Sequence, residues 1–237
     1  MYEIDAAKIY EPLHEARGKD FEAEAGRVAE VIRERRPDAG SLLDVACGTG
    51  AHLRRFAGLF DRVEGLDASE AMLAVAGAGT PGVPLHRADM RDFGLPRGYD
   101  AITCLFSSIG YLGTTEDLDA ALGTFAKHLE PGGVVVIEPW WFPETFLDGY
   151  VASDAVEVEG YDIVRLSHSR LDGDASLMTV HYVIADAESG ARHFTETHRC
   201  TLFEQVQYED AFRRAGLAVE YVDGLATGRG LFVGVGK

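Results

Sequence analysis

The chain has 237 residues, longer than the usual domain of about 150, so one elaborated domain or a domain with a subdomain is expected. A 46% apolar and 26% charged composition excludes wholesale disorder, and a net charge of −17 disfavours nucleic acid and anionic membrane as partners. No run of 18 apolar residues occurs, and MYEIDAAKIYE carries acids where a secretion signal needs bases, so a cytoplasmic protein is expected.

In chain order, residues 20–35 read as an amphipathic helix that stops before Pro37. SLLDVACGTG is a short apolar run that turns into glycines, and further apolar runs lie at 62–69, 84–90, 100–107 and 132–139. Helical patterns intervene at 51–59, 69–78 and 115–129, the last with Thr115 as its expected N-cap and Pro131-Gly132-Gly133 as its expected stop. Strands alternating with helices imply βαβ units and a parallel sheet covered on both faces. After Pro139 the period changes from helical to alternating at 161–169, 176–184 and 192–203, an antiparallel meander. Residues 204–216 return to helix, and 217–222 and 230–235 supply two final strands. The expected fold is α/β: a doubly wound, mostly parallel seven-stranded sheet formed by 1–139 and 204–237, with an antiparallel β insert at 140–203 that caps the site, pairs subunits or both.

The chemistry concentrates at Leu42-Leu43-Asp44-Val45-Ala46-Cys47-Gly48-Thr49-Gly50, a strand running into a glycine turn and then a helix. Gly48 and Gly50 let backbone pass close to a ligand. Asp67, at the end of the next strand, is placed to accept both hydroxyls of a ribose. A dinucleotide fingerprint needs a third glycine where this chain has Leu53. Asp44 opposes a pyrophosphate and suits a cationic or zwitterionic ligand such as S-adenosylmethionine. Asp89-Met90, after the third strand, lies where an acid can accept from the exocyclic amine of adenine.

DVACGTG, GLDAS, DMRDF and EPGG together resemble the class I S-adenosylmethionine-dependent methyltransferases, with a Rossmann-like sheet. RGKDF, FSSIGYL, LEPGGVVVIEPWWFPE, SHS and GRGLFVGV extend the resemblance over nearly the whole chain, to TDP-3-amino-deoxysugar N,N-dimethyltransferases of the desosamine and mycaminose type. That resemblance implies two successive N-methylations of a TDP-linked aminosugar in antibiotic sugar biosynthesis. Two positions depart from the expected family pattern: Asp67 stands where Glu is expected, and Tyr111 where some relatives have His.

The candidate cofactor residues are Tyr10, Phe21, Asp44, Ala46, Gly48, Gly50, Asp67, Met72, Asp89, Met90 and Phe106, with the rings of Tyr10 and Phe21 expected over the sulfonium or the adenine. Trp140 and Trp141 follow the fifth strand where a parallel sheet opens its ligand crevice, so at least one should line the substrate pocket. Glu138 is a candidate for holding the sugar amine, with Tyr111 and Tyr2 for positioning or proton removal. Arg17, Arg165 and Arg229 are candidate diphosphate contacts, Arg229 preferred, and Ser169 and His181 complete the substrate set. His193 and His198, five apart on a strand, face opposite ways and cannot share a metal. FSSIG lacks the first glycine of a hydrolase elbow. The three cysteines form neither CxxC nor a disulfide framework and are expected buried. The competing readings are an O- or N-methyltransferase for another natural product, a non-catalytic scaffold, and a nicotinamide oxidoreductase, the last opposed by Leu53 and by the lack of a Tyr-x-x-x-Lys pair. A homodimer is expected.

Overall fold

The computed structural model describes residues 4–158, 160–225 and 228–237. Seven strands form the main sheet: β1 (Ser41–Val45), β2 (Arg62–Asp67), β3 (Leu85–Arg87), β4 (Tyr99–Cys104), β5 (Leu129–Ile137), β10 (Ala218–Val222) and β11 (Leu231–Val235), in the order β10-β11-β5-β4-β1-β2-β3. The five strands from β1 to β5 run parallel, and β11 inserts antiparallel between β5 and β10. The β1 residues are buried without alternation, as a strand covered on both faces must be. The strand order reverses direction between β1 and β4, which opens a crevice at their carboxyl ends.

Helices α2 (Phe21–Arg35), α3 (Ala51–Phe56), α4 (Glu70–Gly79), α5 (Thr115–Lys127) and α6 (Gln205–Arg214) cover this sheet. Asp20 caps α2 by accepting from the Ala23 amide at 2.8 Å. The α5 cap is Thr114 rather than Thr115, because its hydroxyl reaches the Asp117 amide. That helix also ends earlier than expected, at Lys127. The His128 ring lies 2.8 Å from the Thr124 carbonyl and takes the Leu95 amide, closing the turn, so Pro131-Gly132-Gly133 falls inside β5.

The antiparallel meander has four strands rather than the three read from sequence: β6 (Tyr150–Val158), β7 (Tyr161–Asp172), β8 (Ala175–Asp186) and β9 (Gly190–Thr201). The additional strand, β6, is an edge whose small and acidic residues blunt the apolar alternation. Its inner face is closed by α1 (Ile4–Ala16), whose Ile9 and Leu13 join Ile163, Val180, Tyr182 and Ile184 in one buried cluster. The same helix is tied to the helices of the main sheet, since Glu11 is held by Arg54 and Arg55 of α3, while Arg17, just past its end, bonds Asp154 of β6 at 2.8 Å. Helix α1 therefore belongs to both sheets and fixes the space between them. Among the described residues no helix is long and apolar enough to cross a membrane. All three cysteines are buried and unpaired with one another.

Leu13 is 1% exposed at the centre of the α1 contact. Leu13→Ala is expected to destabilise the fold by about 2–4 kcal/mol, the usual cost of such a cavity. Calorimetry should register this as a melting point lowered by roughly 5–15 °C, and an unchanged melting point would show that α1 does not dock as described.

Candidate functional site

The glycine turn after β1 is built on left-handed backbone at Ala46, Gly48 and Gly50, with φ of 57°, 57° and 81°. Gly48 faces open space, and its amide donates to Asp67 Oδ2 at 2.9 Å. Gly50 serves packing instead: a Cβ there would meet Ala76 of α4 at 3.3 Å, and Gly50 does not border the cavity. Leu53, where a dinucleotide site needs its third glycine, is fully buried against Gly65.

A cavity of about 470 Å³ opens over this turn. Tyr10, Phe21, Asp44, Ala46, Gly48, Asp67, Met72, Met90 and Phe106 all border it, so nine of the residues singled out from sequence converge. Asp89 does not. Arg91 takes its carboxylate in a two-pronged pair at 3.0 and 2.7 Å, leaving Ala88 and Met90 as the lining there.

Two carboxylates give this cavity its character. Asp67 already accepts the Gly48 and Ser69 amides, at 2.9 and 2.7 Å, and burial raises its pKa against those bonds. Asp44 is 2% exposed and accepts the Thr103 hydroxyl at 2.8 Å. Burial pushes its pKa up to about 6, opposed by His52 and the Thr103 bond and assisted by the charge of Asp67. Asp44 thus holds a proton more tightly folded than unfolded. The contribution of Asp44 to stability is therefore lost as pH rises between about 4 and 6, by a total on the order of 3 kcal/mol. A cation seated beside Asp44 would recover part of that cost. The acids, the glycine turn and the orphaned, buried Thr49 hydroxyl together fit a cationic nucleoside such as S-adenosylmethionine.

A second cavity, of about 640 Å³, lies between α1, the start of α2 and the inner face of the meander. Arg17, Trp140, Arg165 and Arg229 border it, as do Lys19, Arg27 and His14, which the sequence reading did not select. His14 reports the local field. Burial, reinforced by the charges of Arg17, Arg165 and Lys19, drives its pKa down to about 3 and keeps the ring neutral. Arg17, Lys19, Arg27, Arg165 and Arg229 outnumber Asp20 and Glu24 in the lining, so even with Arg17 and Arg165 sharing Asp154 and Arg229 paired to Glu138 this pocket is basic and suited to an anion.

Several expectations need correction. Glu138 has no exposed surface; it accepts the Phe106 amide at 2.7 Å and pairs with Arg229 at 3.1 Å, so it braces the site from behind and borders neither cavity. Arg229 is accordingly already neutralised, its guanidinium lying 5.0 Å from the Trp141 ring centre and 5.5 Å from that of Trp140. Trp140 lines the pocket and donates to Ser176 at 2.9 Å, whereas Trp141 does not line it. His181 sits on the outer face of β8, within 3.2 Å of His193, because the pocket shares its face with the apolar set Val180, Tyr182 and Ile184. Ser169 is buried on the inner face without reaching the cavity. Tyr2 lies outside the described residues.

The two cavities meet at Tyr10, Phe106, Tyr111 and His198, which border both. Phe106 and Ser107 carry positive φ, 51° and 61°, at the end of β4, a costly conformation for non-glycine residues and one that concentrates at functional sites. Beneath Phe106 runs a buried chain from Lys19 through Glu24 to His52. Lys19 Nζ lies 2.6 and 2.7 Å from the Glu24 oxygens, and His52 Nε2 lies 2.8 Å from Oε2. Only the RGKDF segment at 17–21 hinted at Lys19, and nothing in the local pattern marked His52. Among the described residues no cluster of His, Cys, Asp and Glu could hold a metal ion.

Comparison with known proteins agrees with this geometry. Residues 42–133 match the methyltransferase domain model. The dTDP-3-amino-3,4,6-trideoxy-alpha-D-glucopyranose N,N-dimethyltransferase of Streptomyces venezuelae is 54% identical over 235 residues, 99% of each chain. The crystal structure of DesVI from Streptomyces venezuelae shares 53% identity over all of both chains, with a TM-score of 0.96. The structure of SAM-bound CalS10 from Micromonospora echinaspora, an amino pentose methyltransferase of calicheamicin biosynthesis, shares 48% identity over 97% of each chain, with a TM-score of 0.89. With an acid-walled glycine turn at the switch point of its sheet and such identity over its whole length, the chain belongs to the S-adenosylmethionine-dependent sugar N,N-dimethyltransferase family.

Proposed function

We propose that this enzyme adds two methyl groups in succession to the amino group of a TDP-linked amino-deoxysugar. The observation that carries the reading is the junction of two cavities of opposite polarity, one walled by Asp44 and Asp67 and the other lined by Arg17, Lys19 and Arg165. A sulfonium nucleoside fits the first, and a nucleoside diphosphate sugar, with two phosphates for arginine to hold, fits the second. Bound S-adenosylmethionine supplies an electrophilic methyl group. Asp67 accepts the ribose hydroxyls, Asp44 balances the positive charge, and Tyr10, Phe21 and Phe106 supply aromatic walls. Arg17 and Arg165, flanking the neutral His14 and sharing the single carboxylate of Asp154, hold the diphosphate. Arg229 supports them indirectly, by fixing Trp140 and balancing Glu138.

The nitrogen–carbon bond forms as the sulfur–carbon bond breaks, with that electron pair staying on sulfur and one proton leaving nitrogen at each addition. The protein's task is placement and exclusion of water at the junction, and good orientation alone is worth on the order of 7–11 kcal/mol. The meander and α1 together form the sugar-nucleotide half of the site.

The outer face of the meander exposes Val151, Val164, Leu166 and Val183, with Val164 opposite Val183, Leu166 opposite His181 and Val151 opposite His168. Exposed apolar patches of this kind mark contact surfaces, and a sheet face pairs with its own copy about a two-fold axis. We assign it to a homodimer. In sedimentation the wild-type chain should run as a dimer and Leu166→Glu as a monomer; a monomeric wild type rejects the assignment.

Incubation with a TDP-3-amino-deoxysugar and S-adenosylmethionine should give two successive gains of about 14 mass units, one per methyl group (a proton replaced by CH₃). A product oxidised or reduced instead, or methylated on oxygen, rejects the proposed reaction.

Affinity for S-adenosylmethionine should also follow Asp44. Protonation of a carboxylate whose pKa is about 6 removes the charge facing the ligand, so affinity falls as pH drops through that value. Calorimetry should find binding about tenfold weaker at pH 5 than at pH 7.5, with Asp44→Asn flat over the same window.

A further inference from the structure

The outer face of the meander is ordered in charge as well as apolar at its centre. Along β7 the outward side chains run Asp162, Val164, Leu166, His168 and Arg170, all of them exposed. Leu166 lies midway, four residues from the acid at one end and four from the base at the other. Glu157 of β6 stands directly across from Asp162 and is exposed too. Like charges directly opposite each other on neighbouring strands destabilise a sheet. Among the described residues no ion pair engages Glu157, Asp162 or Arg170. The other charges at the two ends are spoken for. Arg199 takes Asp172 and Asp174, Asp148 accepts the Leu171 amide at 2.7 Å, and Arg192, on the inner face with Ile184, pairs with Asp186. Two acids without a cation and a cation without an acid therefore stand at opposite ends of one apolar face.

We infer that two copies of the chain stack these outer faces with β7 antiparallel to β7, about a two-fold axis that crosses the strands at Leu166, so that Arg170 of each copy pairs with Asp162 and Glu157 of the other. The inference rests on the homodimer assignment above. Two sheets stacked face to face by a two-fold axis have that axis in the plane between them. An axis along the strands would set acid on acid and base on base. An axis across the strands at Leu166 exchanges the two ends, and each copy supplies both halves of the pair, as an isologous contact requires. Arg170 and Asp162 each lie about 13 Å from that axis at the rise of a β-strand. Packed sheets cross at about 30°, an offset of roughly 7 Å at that distance, which an arginine side chain spans. Leu166 then meets its own copy at the centre. An unrelated partner would need no such symmetry of charge, so the order of the face favours a second copy. The sugar-nucleotide pocket stays open, because Val180 and Tyr182 line it from the inner face.

Charge reversal in the full-length chain tests this, read as dimer dissociation constants by sedimentation equilibrium, with calorimetric binding of S-adenosylmethionine to check that each variant folds. Arg170→Glu should raise the constant at least tenfold, roughly, because it sets like charges together twice, and the double variant Glu157→Lys/Asp162→Lys should do the same. An equimolar mixture of these two variants should recover a dimer of near wild-type strength, since the substituted positions then face each other and the native ones do likewise. Tighter or unchanged dimerisation in either variant, or a mixture that stays monomeric, overturns the inference. If a reversal does not fold, Arg170→Gln and Asp162→Asn take its place, each weakening the dimer about threefold, and an unchanged constant in both overturns the inference equally. A monomeric wild type removes both the homodimer assignment and this inference, whereas a dimer indifferent to these charges removes the inference alone.

Discussion

The junction between the two cavities hangs on one buried carboxylate. Glu138, at the end of β5, has no exposed surface, and its two oxygens take the Phe106 amide and the Arg229 guanidinium. An unpaired charge at that depth would cost several kcal/mol, so Glu138 and Arg229 stand or fall together. The amide bond also offsets the strain of the positive φ at Phe106. The ring so fixed becomes the shared wall of the site. It meets Tyr10, His14 and Phe21 edge to face, and Lys19 Nζ sits 3.9 Å from its centre. One interaction at the end of β5 thereby fixes the wall that the two cavities share.

Electrostatics then sorts the ligands. The two pockets touch, yet one is acidic and the other basic, and they are separated by the Lys19–Glu24–His52 chain. Burial raises the pKa of Glu24, but the bonds from His52 and Lys19 outweigh it and hold the carboxyl below its ordinary value. Charge-assisted bonds of this kind are short and directional, so the partition is stiff. A cation approaching the second pocket meets Arg17, Lys19 and Arg165, and a diphosphate approaching the first meets Asp44 and Asp67. Like charge thus disfavours a cation in the second pocket and a diphosphate in the first, as the proposed two-substrate transfer would require.

Much of this was legible in the sequence, for identifiable reasons. The βαβ rhythm and the glycine turn carry period and conformational signals that local residues cannot disguise, so the sheet, Asp44, Asp67 and the Leu53 exclusion could be read directly. The face parity of His181 was also readable, since it shares a side with Thr179 and Val183. What could not be read was which side meets the ligand, because that depends on α1 docking against Val180, Tyr182 and Ile184 from the far end of the chain. The same limit explains Glu138. A carboxylate at a strand end reads as a ligand contact until a partner 91 residues away is seen to claim it. His14, Lys19 and His52 gain their roles only from neighbours brought in by the fold, and Thr114 displaced Thr115 by a one-residue shift of cap geometry.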